Sequence, residues 1–360
     1  VSNCIAMTNG HNSRTGVTIK ACSLGLFSPQ FVSPDRLPNT CVLEVAGSAL
    51  WMKTGWVMKA VRPDIAIITH IELTQYGPNS KTLDDVARFK SRICEQMHRK
   101  GLAVLYREMP LFEKVKGYVS DYGATPYTYG ESLDCNSRLI SYEYSLPTVD
   151  DTERELRMKV RASVLGEFVE YEIGAIGKPV ALNSLAALTA GKLAGFKPAL
   201  MAKQFAAFKA RKNTLDVSVK KNILFIDCSH NLEIPSILAA FDVLDSSRFS
   251  ASGRKIVIIS RIVNLGEIAQ EFHLKLEQPF NEYGFDRFFI HNPDHEWDQL
   301  LPKVSEHRIG GVSSNAAGTI SQVLAYLKPG DAVLVLGASR GCDFGEVLPG
   351  IYAELNARAI

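Results

Sequence analysis

Residues 62–105 read RPDIAIITHIELTQYGPNSKTLDDVARFKSRICEQMHRKGLAVL, and they place a buried strand, a polar strand end, a helix and a second strand in one unit. IAIIT is a short β-branched apolar run of the kind that forms a strand covered on both faces. The polar residues that follow, His70, Glu72, Thr74 and Gln75, stand where a parallel sheet opens to solvent. Ligands bind at such strand ends. Asp84 and Asp85 then open a predicted helix in which Val86, Phe89, Ile93 and Met97 recur at helical spacing. Lys90 lies close to that apolar face rather than opposite it. A helical lysine so placed either snorkels to solvent along its aliphatic stem or is directed at something inside. GLAVL closes the unit as the next strand.

The same pattern extends outward in both directions. Upstream, NCIAM (residues 3–7) predicts a strand, TNGHNSRTG a loop after it, and residues 17–26 a helix. A strand, a glycine-containing loop and a helix in that order can surround phosphate, because backbone amides and the helix N-terminus face the anion. An ordinary strand–helix turn has the same outline. A Pro-, Ser- and Asn-rich connector leads to TCVLEV, a strand with Glu44 near its end. That carboxylate is placed either for a metal ion or as plain solvated surface.

Downstream, alternation over 118–144 and 156–173 predicts an antiparallel extension, and NSLAALTAGKLAG a helix opened by Asn183 as its N-cap. A polar, basic link at 211–222 precedes a second series. Its predicted elements are strand 223–227, helix 235–244, strand 255–260, helix 266–276, strand 287–290, helix 297–304, a segment near Val312, helix 319–327 and strand 332–336. Strands alternating with helices make a parallel sheet covered on both faces. The expected fold class is therefore α/β, with a mainly parallel sheet over 1–213 whose first loop can surround phosphate, followed by a Rossmann-like α/β domain over 214–360; the resemblance set out below implies that the first is a phosphate-loop (P-loop-type) ATPase domain.

The 360 residues are 46% hydrophobic and 22% charged, which suits two packed cores. A net charge of +2 with both signs interspersed leaves no electrostatic footprint for nucleic acid or an anionic membrane. No apolar run reaches spanning length and none at the start resembles a signal peptide, so a cytoplasmic protein is expected. The seven cysteines are scattered without a C-x-x-C pair, which predicts reduced thiols. The first residue is valine, which suggests a processed or excerpted chain. His291 and His295 are tempting as a metal pair, but no third ligand lies near them in sequence. No G-x-G-x-x-G follows any strand, which disfavours a dinucleotide-binding dehydrogenase; GASRG comes nearest.

Taken in order, the RPD-strand, the polar strand end, the lysine-bearing helix and the GLAVL strand resemble the Mur ligase superfamily. That superfamily includes the Mur ligases, folylpolyglutamate synthetases and the ligase half of cyanophycin synthetase. The resemblance implies ATP-dependent amide formation through an acyl phosphate, with ATP and Mg2+ as cofactors and a carboxylate and an amino acid or amine as substrates. It also implies that this chain lacks the N-terminal substrate domain of the peptidoglycan enzymes. By the resemblance, Gly10, Asn12, Ser13, Arg14 and Thr15 form the phosphate loop. Ser13 stands in place of the second glycine, and Arg14 in place of the usual lysine, as a longer, planar cation.

The same resemblance implies metal ligation by Thr15, Glu44, Gln75 and a carbamylated Lys90, with Gln75 near the position where many members carry a histidine. It assigns Asn183, Arg211, Asp227 and Asn231 to the nucleotide. Catalytic roles fall to Lys90, Arg14 and His230, the last from the IDCSHN turn. Ser339 and Arg340, in LVLGASRG, and His70 are implied on the substrate side. A degenerate relative that binds nucleotide or a partner without chemistry is the other reading. A homo-oligomer or a larger polypeptide context is left open.

Overall fold

The computed structural model describes residues 3–8, 40–45, 50, 62–73, 80–95, 97, 101–210, 212–230, 232–263, 265–338 and 342–357. The chain divides into two compact units. One comprises Val1–Tyr142, Val160–Tyr171 and Ala181–Phe205; the other comprises Glu143–Lys159, Glu172–Val180 and Ala206–Ile360.

The first sheet has eight strands in the order β2-β1-β3-β4-β5-β6-β7-β8. These are β1 (Asn3–Thr8), β2 (Thr40–Val45), β3 (Ile65–Ile68), β4 (Leu102–Tyr106), β5 (Thr125–Gly130), β6 (Ser137–Ser145), β7 (Arg157–Val164) and β8 (Glu167–Ile173). β1 lies between β2 and β3, parallel to both, with Thr8 level with Val45 on one side and Ile68 on the other. The connections leave β1 in opposite directions, so its carboxyl end is a topological switch point, where open α/β sheets form a crevice. β3 is buried at all four residues, as an apolar run in a covered parallel sheet should be.

Helix α1 (Leu83–Ser91) starts with a capping box: Thr82 accepts from the Asp85 amide and the Asp85 side chain accepts from the Thr82 amide. Val86 and Ala87 turn inward onto Ala66, Ile68 and Leu105 of the sheet. The helix stops at Ser91, and a 3-10 turn (Arg92–Cys94) continues the apolar stripe with Ile93.

The alternation over 118–144 misleads in part. Residues Phe112–Asp121 form helix α2, whose Phe112, Val115 and Val119 share one helical face and are buried. β5 then continues the sheet parallel to β4. The antiparallel prediction holds for β7 and β8, which are sheet neighbours joined by the two residues Leu165 and Gly166. Both have positive φ, at 46° and 83°, and so short a link joins only antiparallel strands. Helix α3 (Lys178–Leu193) begins five residues before Asn183. Asn183 therefore does not cap it but sits exposed in its second turn.

The second sheet has six strands in the order β13-β12-β11-β14-β10-β9. They are β9 (Asp216–Lys220), β10 (Ile223–Cys228), β11 (Lys255–Ile259), β12 (Arg287–His291), β13 (Ile309–Ser313) and β14 (Ala332–Leu336). All neighbours are parallel except the β9–β10 hairpin, whose turn at Lys221 and Asn222 has φ of 50° and 56°. The long helices are α4 (Ile234–Ser246), α5 (Ala316–Tyr326) and α6 (Val347–Ala357). One face of the sheet packs Phe225, Ile256, Ile258, Phe289, Val333 and Val335 against residues of α5 and α6.

Two predicted helices are not regular. Residues 266–276 break into a 3-10 turn, one α-turn (Ala269–His273) and another 3-10 turn. In 297–304 only Leu301–Lys303 is helical, as a 3-10 turn, because Pro302 disfavours a helical conformation at the residue before it. The segment near Val312 is the edge strand β13.

Among the described residues no helix is long and apolar enough to cross a membrane. The described cysteines Cys94, Cys135, Cys228 and Cys342 are free thiols, and burial pushes Cys94 up to about 12.

Candidate functional site

In the first unit, the sequence predicts a site at the carboxyl ends of β1, β2 and β3. Lys90 lies on the buried face of α1, only 8% exposed, and its Nζ donates to the His70 carbonyl oxygen at 3.0 Å. It does not snorkel. The α1 capping box sets the helix start two turns earlier, and the packing of Val86 and Ala87 fixes the rotation that turns Lys90 toward the sheet.

His70 follows β3 by two residues and is half-buried. Its Nε2 is shut off from solvent and has no hydrogen-bond partner, while the half-buried Glu72 carboxylate lies 3.8 Å from it. A buried polar atom left unpaired costs about 1–3 kcal/mol, so such atoms mark places where a further group belongs. Glu44 is half-buried, level with Met7 of β1 and one residue short of the end of β2. Met7 is in turn level with Ile67, so Glu44 and the β3 end lie at the same edge. One intervening strand separates them, about 10 Å across the sheet. Oxygen donors at one edge beside an unsatisfied buried atom suit a hard divalent cation. Among the described residues no three His, Cys, Asp or Glu side chains converge as a complete metal cluster.

Tyr106, at the end of β4, belongs to this edge and was not singled out in the sequence. Its ring is 6.3 Å from His70 and 5.6 Å from Tyr129, and burial pushes its hydroxyl well above the usual tyrosine range. The signal was available in the final residue of the LAVLY strand.

In the second unit, Asp227 is the fifth residue of the fully buried strand β10. Burial raises its carboxyl pKa, against the lowering effect of hydrogen bonding with Ser229. Asp227 Oδ1 accepts the Ser229 amide at 2.9 Å, and the Asn213 side-chain amide donates to Ser229 Oγ at 2.9 Å. The His230 amide donates to the Asn213 carbonyl oxygen at 3.2 Å, while the His230 side chain is at the surface. Asn213 itself has φ of 63°, a left-handed conformation that asparagine tolerates. The structure thus brings Asp227, Ser229 and His230 into one hydrogen-bonded turn with Asn213, which sequence reasoning had not included.

His291 and His295 do not form a pair. His291 is fully buried, with Nδ1 3.2 Å from Thr319 Oγ1, whereas His295 is exposed and bonds to Asp298. Gly10, Asn12, Ser13, Arg14, Thr15, Gln75, Arg211, Asn231, Ser339 and Arg340 lie outside the described residues.

Comparison with known proteins places this geometry among others. Residues 27–191 match the Mur ligase middle domain family. The UDP-N-acetylmuramate--L-alanine ligase of Nitrobacter hamburgensis is 23% identical, over 97% of this chain and 76% of its own length. The UDP-N-acetylmuramoyl-tripeptide--D-alanyl-D-alanine ligase of Bacillus subtilis is 21% identical, over 65% of this chain and 47% of its own. Among solved structures, the MurF ligase of Thermotoga maritima in complex with ADP superposes with a TM-score of 0.74 at 18% identity, covering 99% of this chain and 81% of that one. The folylpolyglutamate synthase of Mycobacterium tuberculosis complexed with ADP gives 0.61 at 15% identity, over 88% and 69%. The structural likeness shows a shared fold.

Proposed function

We propose that this chain, similar to a UDP-N-acetylmuramate--L-alanine ligase over 97% of its length and to the Mur ligase middle domain over residues 27–191, is an ATP-dependent carboxylate–amine ligase working through an acyl phosphate. A substrate carboxylate attacks the terminal phosphate of ATP, and an amino acid or other amine then displaces phosphate from the acyl carbon. The observation that carries this is the buried Lys90, held by the His70 carbonyl at the open end of β3 beside Glu72 and the unpaired His70 Nε2. A cation inside a sheet edge is costly unless it has work there.

In its neutral form Lys90 can take up carbon dioxide, forming an N–C bond and releasing a proton. Its amine end then carries a carbamate carboxylate, an oxygen ligand of the kind magnesium requires. With Glu44 and Thr15 it would hold the metal, and Gln75 stands near the position of a histidine ligand in many relatives. Magnesium, when bound, neutralises charge on the transferring phosphoryl group. Arg14 and the loop Gly10, Asn12 and Ser13 would bind phosphate, in keeping with the switch-point position of the β1 end. Asn183, Arg211, Asp227 and Asn231 would meet the nucleotide, His230 would act in catalysis, and Ser339, Arg340 and His70 would serve the substrates. The proposed division assigns ATP binding to residues 1–213 and a Rossmann-like domain to 214–360.

Relatives bearing ligase names favour an active enzyme over a degenerate scaffold. The test is phosphate release from ATP and magnesium with a panel of carboxylates and amino acids. Amine-stimulated release that depends on Lys90 supports the proposal. Nucleotide binding with no release under any pairing would return the chain to the scaffold class.

A further inference from the structure

We propose that the outer edge of β13, with the flank of α5 beside it, is a self-association surface through which two copies of this chain join their second sheets edge to edge, whatever the chain catalyses.

A sheet edge carries unpaired backbone groups, and proteins ordinarily guard it with charge, proline or cover. Among the described residues β2, β8, β9 and β13 are the outermost strands. Glu44 lies in β2, Glu167, Glu170 and Glu172 in β8, and Asp216 and Lys220 in β9. β13 reads IGGVS, with no charge and no proline. All five of its residues are exposed or half-buried, and Val312 keeps 39% of its surface open. Its pairing with β12 shifts register near Gly310 and is regular from Gly311 to Ser313. The Ser313 carbonyl oxygen accepts the Asn292 amide at 2.7 Å, so it faces β12. Backbone groups alternate sides along a strand, and the N–H and C=O of Val312 therefore point outward. The Gln322 side-chain amide donates to the Val312 carbonyl oxygen at 3.2 Å, an exposed bond standing where a neighbouring strand would bind.

A two-fold axis beside Val312 satisfies both outward groups at once. Val312 and its mate then exchange N–H···O=C bonds as a directly opposed antiparallel pair, and their side chains cover one another. Gly311 stands opposite Ser313 and Arg308 opposite Ala316, so no charge meets a like charge. A Cβ on Gly311 would meet the Gln322 side chain, so α5 lies on the Gly311 face and Val312 on the other.

Helix α5 is built for the same contact. It packs against both β12 and β13, which sets it over the gap between them. Joining two β13 strands thus brings α5 and its mate to two strand spacings, about 10 Å, the distance at which helices pack. That approach needs small side chains. Ala316–Tyr326 contains no charged residue, and the residues it exposes are Ala317, Ser321 and Ala325, one every four positions. A surface helix ordinarily turns charge to water on that face. A second copy fits best, because an uncharged edge and helix give an acidic or basic partner no counter-charge.

Sedimentation velocity of the whole chain over roughly 1–100 μM tests this, a range suited to a small interface. The mass should rise from 39.6 kDa toward twice that value. Val312→Pro removes the outward N–H but no bond to β12, and Gln322→Glu sets two carboxylates against each other beside the axis. Each should weaken the dimer at least about tenfold. Ala353→Glu, at an exposed small residue of α6, should leave it unchanged. In the unaltered chain, hydrogen exchange at the Val312 amide should slow as concentration rises. A mass fixed at 39.6 kDa throughout overturns the proposal. So does a dimer that survives Gln322→Glu with the Val312 amide exchanging at the same rate at every concentration, a pair of readouts that decides even if Val312→Pro fails to fold.

Discussion

The ends of β3 and β10 are built from similar materials and finished differently. Each is a fully buried strand running out into a polar turn, at the edge of a mainly parallel sheet. At β10 the polar groups serve one another: Asp227 accepts from the Ser229 amide, and Asn213 donates its side-chain amide to the Ser229 hydroxyl and accepts from the His230 amide. At β3 the set is incomplete, because Lys90 holds the His70 carbonyl but His70 Nε2 faces Glu72 without a bond. A closed network rigidifies a turn. An open one keeps unsatisfied capacity that a ligand can use, at a standing cost in stability.

The largest test of that contrast is Lys90→Ala. If the β3 end is the reacting edge, amine-dependent phosphate release should fall by about 10^2- to 10^3-fold, the scale of losing one preorganised charge. A low-carbonate preparation of the unaltered enzyme should be partly inactive and recover with bicarbonate, whereas the alanine variant should not. Full activity of the variant would make β3 as purely structural as a closed turn.

The next effect concerns pH and the second unit. His273 is fully buried, with Nδ1 on the Ala269 carbonyl at 2.6 Å and Nε2 accepting the Ile262 amide at 3.2 Å, so it is held neutral. Burial pushes its pKa from 6.5 down to about 4. Between those values the unfolded chain binds the proton and the folded chain does not, so this contribution is complete above pH 6.5 and lost as pH falls toward 4. The loss is about 3 kcal/mol. Chemical denaturation across that window should show it, and His273→Leu should flatten the slope. The raised carboxyl of Asp227 acts in the opposite sense, favouring the folded state as pH falls.

Two smaller changes sharpen the comparison. Thr82→Ala removes one half of the α1 capping box and should cost about 1 kcal/mol in denaturant unfolding. Activity should fall further than stability alone explains, if helix position is what aims Lys90. Asp227→Asn retains an acceptor for the Ser229 amide and should change stability by less than about 1 kcal/mol. A concurrent fall in nucleotide affinity would show that the β10 turn works as well as holds; unchanged affinity would leave it as scaffolding.

Much of this was legible beforehand. β3, β4, β10, β11, β12 and β14 are apolar runs whose burial follows from composition, and α1 announces itself through Asp84 and Asp85. Lys90 stood out because it sits beside an apolar stripe. Helix α2 was missed because Tyr118 and its neighbours imitate a two-residue alternation, although Phe112, Val115 and Val119 keep helical spacing. Asn183 looked like a cap because asparagine favours that role, but a helix can begin wherever packing fixes the preceding turn, here at Lys178.

Periodicity and capping are local, since they depend on residues within a few positions of one another, and so the sequence alone determined the order of strands and helices and the lysine on α1. Contacts between separate strands depend on register and on which side chains find partners. Only the tertiary structure could decide that Lys90 meets the His70 carbonyl, that Asn213 closes the turn after Asp227 through Ser229 and His230, and that His291 and Asp343 stand together. No interval in the sequence encodes those meetings, because hydrogen bonds across a sheet join residues that are tens of positions apart.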